Sequence, residues 1–344
     1  MLKKSTHPFT RAVIARVLGE TDPESFALKR WGSHSGVAEV VRKAAVAGLD
    51  SADRLADSAA SDEGFIGLAI EQSLLGRLAG LRRTDFVTPV LRQGAGATAV
   101  WVAQSRAIGI SKLDLVRTSL SRLMVGALTV VTKQALRAPG AFNEQMLERD
   151  LLRAASRAID LAFLDASNAG IAGQMPASVT SGATSIASSG TLETDIAQMI
   201  EAFEGDLSAA AFVCDPTLAT EIGLLDAKFA ACGARGGELG GIPLFTSMVS
   251  PRTTSGGQLT LIDPGAILYA ADAIEVSESS EATIEMSDTP SGNAATPVAA
   301  TTTPISLYQA ELTALKLAAY VNWELQDSNR VVMLTGASYR ADAS

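Results

Sequence analysis

After Pro139-Gly140 the sequence runs from Ala141 to Ala166 as one helical pattern, uninterrupted by Gly or Pro. A helix of about 25 residues spans nearly ~40 Å, so this element is the backbone of an elongated molecule. Leu147, Leu151, Ala154, Ala158, Leu161 and Phe163 are expected along its buried side. Arg149, Arg153 and Arg157 recur at i, i+4 and i+8 and line another face. Asp160 and Asp165 are expected at the surface or in salt bridges.

The segments around this helix change character in a definite order. Residues 1–60 hold helical patterns at about 9–19 and 37–58, and Phe65 to Leu81 reads as another short helix. This front segment is expected to be an arm that packs on something else. From Phe86 to Val102 the chain turns extended, with Gly94-Ala95-Gly96-Ala97 as a hairpin tip and a return through Ile108 and Ile110 to Lys112. Leu113 to Val131 is an apolar, strand-rich passage with Val125, Leu128, Val130 and Val131 as core candidates.

Beyond the long helix, residues 168–190 are rich in Gly, Ser and Thr and read as a loop. A helix from Leu192 to Phe203, a strand from Ala209 to Cys214 and a helix after Asp215-Pro216 follow. Gly236 to Pro243 is expected to turn into a strand at Leu244-Phe245. Further strands are expected at Leu259–Ile262, Ala266–Tyr269 and Ala273–Val276. Residues 277–303 are polar, interrupted by a strand-like 283–286. Leu315, Leu317, Ala319, Val321, Trp323 and Leu325 then alternate with polar positions as a long half-buried strand. A last strand from Arg330 to Leu334 ends at Gly336 before a tail. The mixed order predicts an α+β fold.

Charge is partitioned along the chain. Residues 76–140 carry 10 Lys or Arg against 2 Asp or Glu, whereas residues 141–344 carry 9 against 25. A basic middle and an acidic second half can attract one another between copies and guide register. Two solvated surfaces of opposite sign that meet nothing would give the same counts. With 47% apolar and 19% charged residues the chain is a folded protein. Its net charge of −9 argues against a dedicated nucleic-acid reader.

Catalytic and metal-binding equipment is thin. His7 and His34 are the only histidines, and neither belongs to a Ser/His/Asp pattern. No phosphate loop occurs, and Gly233-Ala234-Arg235-Gly236-Gly237 reads as a loop. Cys214 and Cys232, far apart and without a nearby His, are core thiols rather than zinc ligands. Glu275, Glu278, Glu281 and Glu285 lack calcium-loop spacing and read as a solvated acidic edge. The N-terminus has no apolar run of a signal peptide, and no segment is long and apolar enough for a membrane span. No enzyme activity, cofactor or metal is expected.

The ordered series Trp101-Val102, Ile110-Ser111-Lys112, Leu128-Thr129-Val130-Val131-Thr132, Glu148-Arg149-Asp150-Leu151 and Asp160-Leu161-Ala162-Phe163-Leu164 resembles the major capsid proteins of tailed bacteriophages, with the Hong Kong 97-like fold. Gly240-Gly241-Ile242-Pro243-Leu244 resembles the family's Gly-x-Pro turn, and Gln309–Leu325 with Val331–Gly336 its closing strands. The resemblance covers roughly residues 65–336. It implies an N-terminal arm over 1–85, an extended two-stranded loop over 86–113, and a peripheral domain over 114–190 with a spine helix at 141–166. An axial α+β domain would follow at 191–275, then peripheral-domain strands and a polar loop over 276–328. Residues 329–344 would be the final axial strand and tail.

The function the resemblance implies is self-assembly into pentamers and hexamers of an icosahedral head enclosing phage DNA without sequence-specific binding. An encapsulin-type nanocompartment shell is the alternative within the same fold; an α/β enzyme or a tail component is the reading outside it. Arg92, Trp101, Arg106 and Lys112 of the loop, with Arg149, Arg153 and Arg157, are the inter-subunit contact candidates. Portal, and scaffolding or decoration proteins, would be the partners, with no membrane involved. The location would be the virion, with assembly in the host cytoplasm. The loop has Lys112 only at its base, so the subunits are expected to join without covalent cross-links.

Overall fold

A computed structural model of the chain describes residues 11, 14–15, 22–32, 37–38, 41, 73–95, 114–132, 134, 141–287 and 304–339. In chain order its elements begin with helices α1 (Pro23–Trp31) and α2 (Leu74–Arg77), then strands β1 (Arg82–Arg83), β2 (Val90–Ala95), β3 (Asp114–Thr118) and β4 (Met124–Thr132). The long helix α3 (Ala141–Leu164) leads to β5 (Thr184–Ala187), α4 (Leu192–Ala202), β6 (Ala211–Cys214) and α5 (Pro216–Leu225). Strands β7 (Gly237–Leu239), β8 (Ile242–Thr246), β9 (Arg252–Thr253), β10 (Gly256–Ile262) and β11 (Ile267–Ser279) follow. The described chain closes with β12 (Thr283–Ile284), β13 (Ile305–Ser306), β14 (Leu312–Leu325) and β15 (Val331–Ala337).

The strands form a four-stranded sheet ordered β1-β11-β14-β4, a seven-stranded sheet ordered β5-β15-β10-β6-β8-β7 with β9 on β10, and the two-stranded pairs β12-β13 and β2-β3. The chain divides into two compact units. One comprises Met1–Gln72, Val125–Ser156 and Ala273–Ala319; the other comprises Ser73–Met124, Arg157–Asp272 and Tyr320–Ser344.

The seven-stranded sheet belongs to the second unit. Strands β6 and β10 are buried along their whole lengths, as expected of apolar central strands covered on both faces. Parallel β6 and β8 are joined through α5, the crossover that a parallel pair requires. Asp215-Pro216 starts α5 as its composition predicts: the Asp215 carboxylate accepts from the backbone N–H groups of Thr217 (3.1 Å) and Leu218 (3.2 Å), and Pro216 occupies the first turn. Leu192, Met199 and Phe203 from α4 and Leu218 and Ile222 from α5 join Phe212, Leu259, Leu261 and Leu334 in one core. Within α5, a Cβ on Gly223 would overlap the backbone carbonyl of Cys232, so only glycine lets the helix lie this close to the following loop.

In the other unit, α1 is capped by Asp22, which accepts from Ser25 N–H at 3.0 Å, and ended by Gly32 at φ 80°. Ala27 on this helix joins Ala15, Val37 and Val41 in a small core edged by Phe26 and Trp31. The front segment therefore carries a core of its own, and α1 is a helix that the sequence patterns at 9–19 and 37–58 passed over. Of those patterns, residues 11, 14–15, 37–38 and 41 are helical, and the remainder lies outside the described residues.

Several expectations are corrected. Gly94 and Ala95 belong to β2, where Ala95 pairs with Asp114 across a register shift, so they are not a hairpin tip. A polar edge strand, β5, lies within the expected loop 168–190 and pairs in parallel with β15. The turn before Pro243 contains β7, which forms a hairpin with β8. The strands expected at 266–269 and 273–276 are one continuous β11, because no Gly or Pro interrupts them.

The core candidates of β4 fare less well. Leu128 is 58% exposed and Val125, Val130 and Val131 are only half-buried, because β4 is an edge strand. On β14, only Lys316 among positions 313–323 is exposed, and Ala314, Ala318 and Asn322 on its polar face are buried. Small residues between long ones are covered where strict alternation predicts exposure.

Candidate functional site

The long helix was expected over 141–166 and runs over Ala141–Leu164, but its buried stripe is rotated by about one residue. Leu152, Ala155, Ile159, Asp160, Phe163 and Leu164 are buried, whereas Ala154 and Ala158 are exposed and Leu161 is 49% exposed. Two apolar stripes compete on this helix. Phe163 is buried as expected, but its companions are Leu152, Ala155 and the bulky, β-branched Ile159, a stripe that removes more apolar area from water than one through Ala154 and Ala158. Phe163 packs edge-on against Trp323 at 5.5 Å between ring centroids, and Trp323 Nε1–H donates to the Ala177 carbonyl at 2.8 Å.

The rotation leaves Arg149, Arg153 and Arg157 exposed at successive turns, as their spacing predicts. Arg92 lies on β2 opposite Val116. Trp101, Arg106 and Lys112 lie outside the described residues. Residues 90–95 and 114–118 pair as the antiparallel base from which the segment between them departs and returns.

Turning the helix buries Asp160, which is therefore not a surface group. Its Oδ1 accepts from the backbone N–H of Leu74 at 2.8 Å, and its Oδ2 accepts from the Ser247 hydroxyl at 3.1 Å. Burial pushes its carboxyl up to about 6, opposed by the Leu74 and Ser247 bonds and by the nearby Arg77 charge. An acidic residue inside the apolar row from Ile159 to Leu164 was the one sequence signal of this arrangement. Asp165 instead closes the turn after the helix, accepting from Ser167 N–H at 2.9 Å and from its hydroxyl at 2.6 Å.

Three further buried carboxylates order the second unit. Asp195 accepts from the hydroxyls of Ser188 (2.5 Å), Ser189 (2.6 Å) and Tyr339 (2.6 Å) and from Ser189 N–H (2.7 Å). Burial pushes its pKa up, but the hydrogen bonds from Ser188, Ser189 and Tyr339 outweigh it and hold the group below the ordinary carboxylate value. Tyr339 is thereby fastened to the fold rather than part of a loose tail. Arg252 donates to both Asp215 (3.0 Å) and Glu221 (2.9 Å), tying β9 to α5. Arg330 donates to Asp263 at 2.8 Å.

None of these groups sits beside an activated nucleophile. Burial raises both thiols, Cys214 to about 12, so they are unreactive core groups as their apolar settings predict. Among the described residues no group of three or more His, Cys, Asp or Glu is placed to hold a metal ion, and no helix is long and apolar enough to cross a membrane.

The paired base at 90–118, the long helix and the mixed sheet occur in an order with known counterparts. The profile of the phage capsid family matches residues 58–233, half of the chain, which takes in the paired base, α3, α4 and α5. The chain belongs to the phage capsid family. It is 28% identical over 327 residues to the capsid polyprotein of Pseudomonas phage PAJU2, a match covering 88% of this chain and 48% of that protein. The chain thus spans about half the length of this curated relative.

Among solved structures, the capsid of a native GTA particle is 13% identical with a TM-score of 0.52, covering 78% of this chain and 89% of that one. Gordonia phage Cozz gives 14% identity and a TM-score of 0.53 over 76% of this chain and 86% of its own. Microbacterium phage Oxtober96 gives 17% and 0.53 over 75% and 90%. At these identities the likeness is one of fold. This family member has the α+β, Hong Kong 97-like capsid fold that its segment order resembles.

Proposed function

We propose that the protein is the major capsid protein of a tailed phage or prophage-like particle, and that it self-assembles into pentamers and hexamers of an icosahedral head. The observation that carries this reading is the family match over residues 58–233, joined to a capsid fold that extends over about three-quarters of the chain. The head encloses DNA without reading its sequence, and the protein's role is structural rather than catalytic. It resides in the virion after assembly in the host cytoplasm. The portal, and scaffolding or decoration proteins, are its partners.

In this reading the loop at 86–113 overlaps a neighbouring subunit. The strands of the seven-stranded sheet between 211 and 262, with Val331–Ala337, support an axial domain over about 191–275 closed by the final strand, to which β5 adds an edge from just outside that range. Residues 114–190 and 276–328 form the peripheral domain around the spine helix, and residues 1–85 the arm. Arg92, Trp101, Arg106 and Lys112 in the loop, with Arg149, Arg153 and Arg157 on the helix, meet the acidic surface of another copy. The exposure of the helix arginines and the charge partition of the sequence support that pairing. Heterologous contacts of this kind close into rings.

Negative-stain electron microscopy with light scattering on the purified chain tests the reading. Closed hollow particles, or rings of five and six subunits, are expected. A monodisperse monomer, still single at high concentration and with a scaffolding partner added, would overturn it.

A further inference from the structure

We infer that Asp160 is a proton-controlled latch: residues 73–78 and the turn after β8 are held on the C-terminal half of α3 more firmly when its carboxyl is protonated than when it is ionised. The inference rests on the fold of the second unit alone and stands apart from shell assembly.

The geometry is that of a three-way tie. Leu74 is 86 residues from Asp160 in sequence and Ser247 is 87, yet both bond to the same carboxylate, one to each oxygen. Asp160 is 8% exposed, Ser247 6%, and Ser73 and Leu74 0%, so little of the tie is open to solvent. A buried carboxylate has about four acceptor sites, and two donors leave its charge under-compensated.

Few charges surround it. Arg77 on α2 is the basic group nearby, but its guanidinium donates to the Thr246 carbonyl at 2.7 Å and lies 5.5 Å from the Phe245 ring centroid. On α3 itself, Arg157 one turn earlier is exposed and Asp165 is bonded to Ser167. The segment 244–250 contributes no charged residue. Thus no cation forms a direct ion pair with Asp160 among the described residues.

The neutral carboxyl relieves this imbalance without breaking the tie. Its carbonyl oxygen still accepts from Leu74 N–H, and its hydroxyl exchanges donor and acceptor roles with Ser247 Oγ. Burial holds the carboxyl near 6 against the ordinary 3.8, so the latched state binds the proton more tightly than the unlatched one. The latch is therefore firmest in acid and loosens as pH rises through about 6.

Hydrogen-exchange mass spectrometry on the full chain, corrected for the intrinsic pH dependence of exchange, reads the latch directly. Peptides covering 73–78 and 246–250 are expected to lose about tenfold in protection between pH 5 and pH 7.5 relative to peptides from β10. Asp160→Asn, whose carboxamide mimics the neutral carboxyl, is expected to keep both segments protected throughout that range. Asp165→Asn is expected to behave as wild type. A wild-type profile with no transition, or one complete below pH 4.5, would overturn the latch, as would an Asp160→Asn profile matching that of wild type. Should Asp160→Asn fail to fold, the upper end of the wild-type transition decides: protection that stops falling at about pH 6 supports the latch, and protection that stops falling below pH 4.5 overturns it.

Discussion

Asp195 and Tyr339 show how single residues hold the second unit together. Four donors surround the Asp195 carboxylate, and Tyr339 supplies the one from farthest along the chain. Tyr339→Phe is expected to cost about 1–3 kcal/mol, because it leaves a buried charge short of a donor. Chemical denaturation of the two proteins measures that difference. Because the folded Asp195 titrates below its ordinary value of 3.8, its contribution is present above about pH 4 and is lost as acid protonates the folded group. The thermal midpoint should therefore fall below pH 4 in wild type, and fall less in a protein carrying Asp195→Asn. Asp160 has the opposite sign, and its contribution weakens as pH rises through about 6. At Gly223 a methyl group has no room against the Cys232 carbonyl. Gly223→Ala is expected to cost about 1–3 kcal/mol by overpacking, despite alanine's better helix propensity. Denaturant melts would expose the opposite sign if the approach were loose.

Among elements, α3 separates packing from interaction. Ile159 is 2% exposed and Leu161 49%, although they are two residues apart on one helix. Ile159→Ala is expected to destabilise the fold by about 2–4 kcal/mol. Leu161→Ala is expected to cost less than about 1 kcal/mol in the unassembled chain. Unfolding measurements on both variants test the assignment of the buried stripe, and near-equal costs would overturn it. Where this helix begins was legible from Pro139-Gly140, and its extent from the absence of breakers. Which stripe faces inward was not, because both carry Leu and Ala at helical spacing. Similarly, β5 and β7 were hidden in Gly- and Ser-rich sequence. Both are edge strands whose partners, β15 and β8, supply the apolar pairing surface.

At the scale of the whole molecule, opposite charges on different parts of the chain are expected to steer copies together over a Debye length of about 10 Å. The triple replacement Arg149→Glu, Arg153→Glu and Arg157→Glu leaves the core untouched because all three side chains are exposed. It is expected to preserve the circular dichroism and melting of the unassembled chain while abolishing particles in light scattering and electron microscopy. Raised salt should slow assembly of the wild type by screening the same attraction. Particles formed by the variant at wild-type rates would remove the arginines from the proposed interface.

Local pattern and the order of segments determined a great deal by themselves. The long helix, the caps at Asp215-Pro216, the apolar strands at 211–214 and 331–334, the inert thiols and the capsid-like succession of parts were all readable. Each depends on residues near one another in sequence, or on a count of them. Only the tertiary structure decided that Asp160 turns inward to meet Leu74 and Ser247, that Asp195 gathers Ser188, Ser189 and Tyr339, and that Leu128 and Leu161 stay in water. Those outcomes depend on which surfaces meet between segments far apart in the chain: Leu74 and Ser247 lie 86 and 87 residues from Asp160, and Tyr339 lies 144 from Asp195. An isolated carboxylate or leucine has the same local sequence whether or not a partner arrives to cover it.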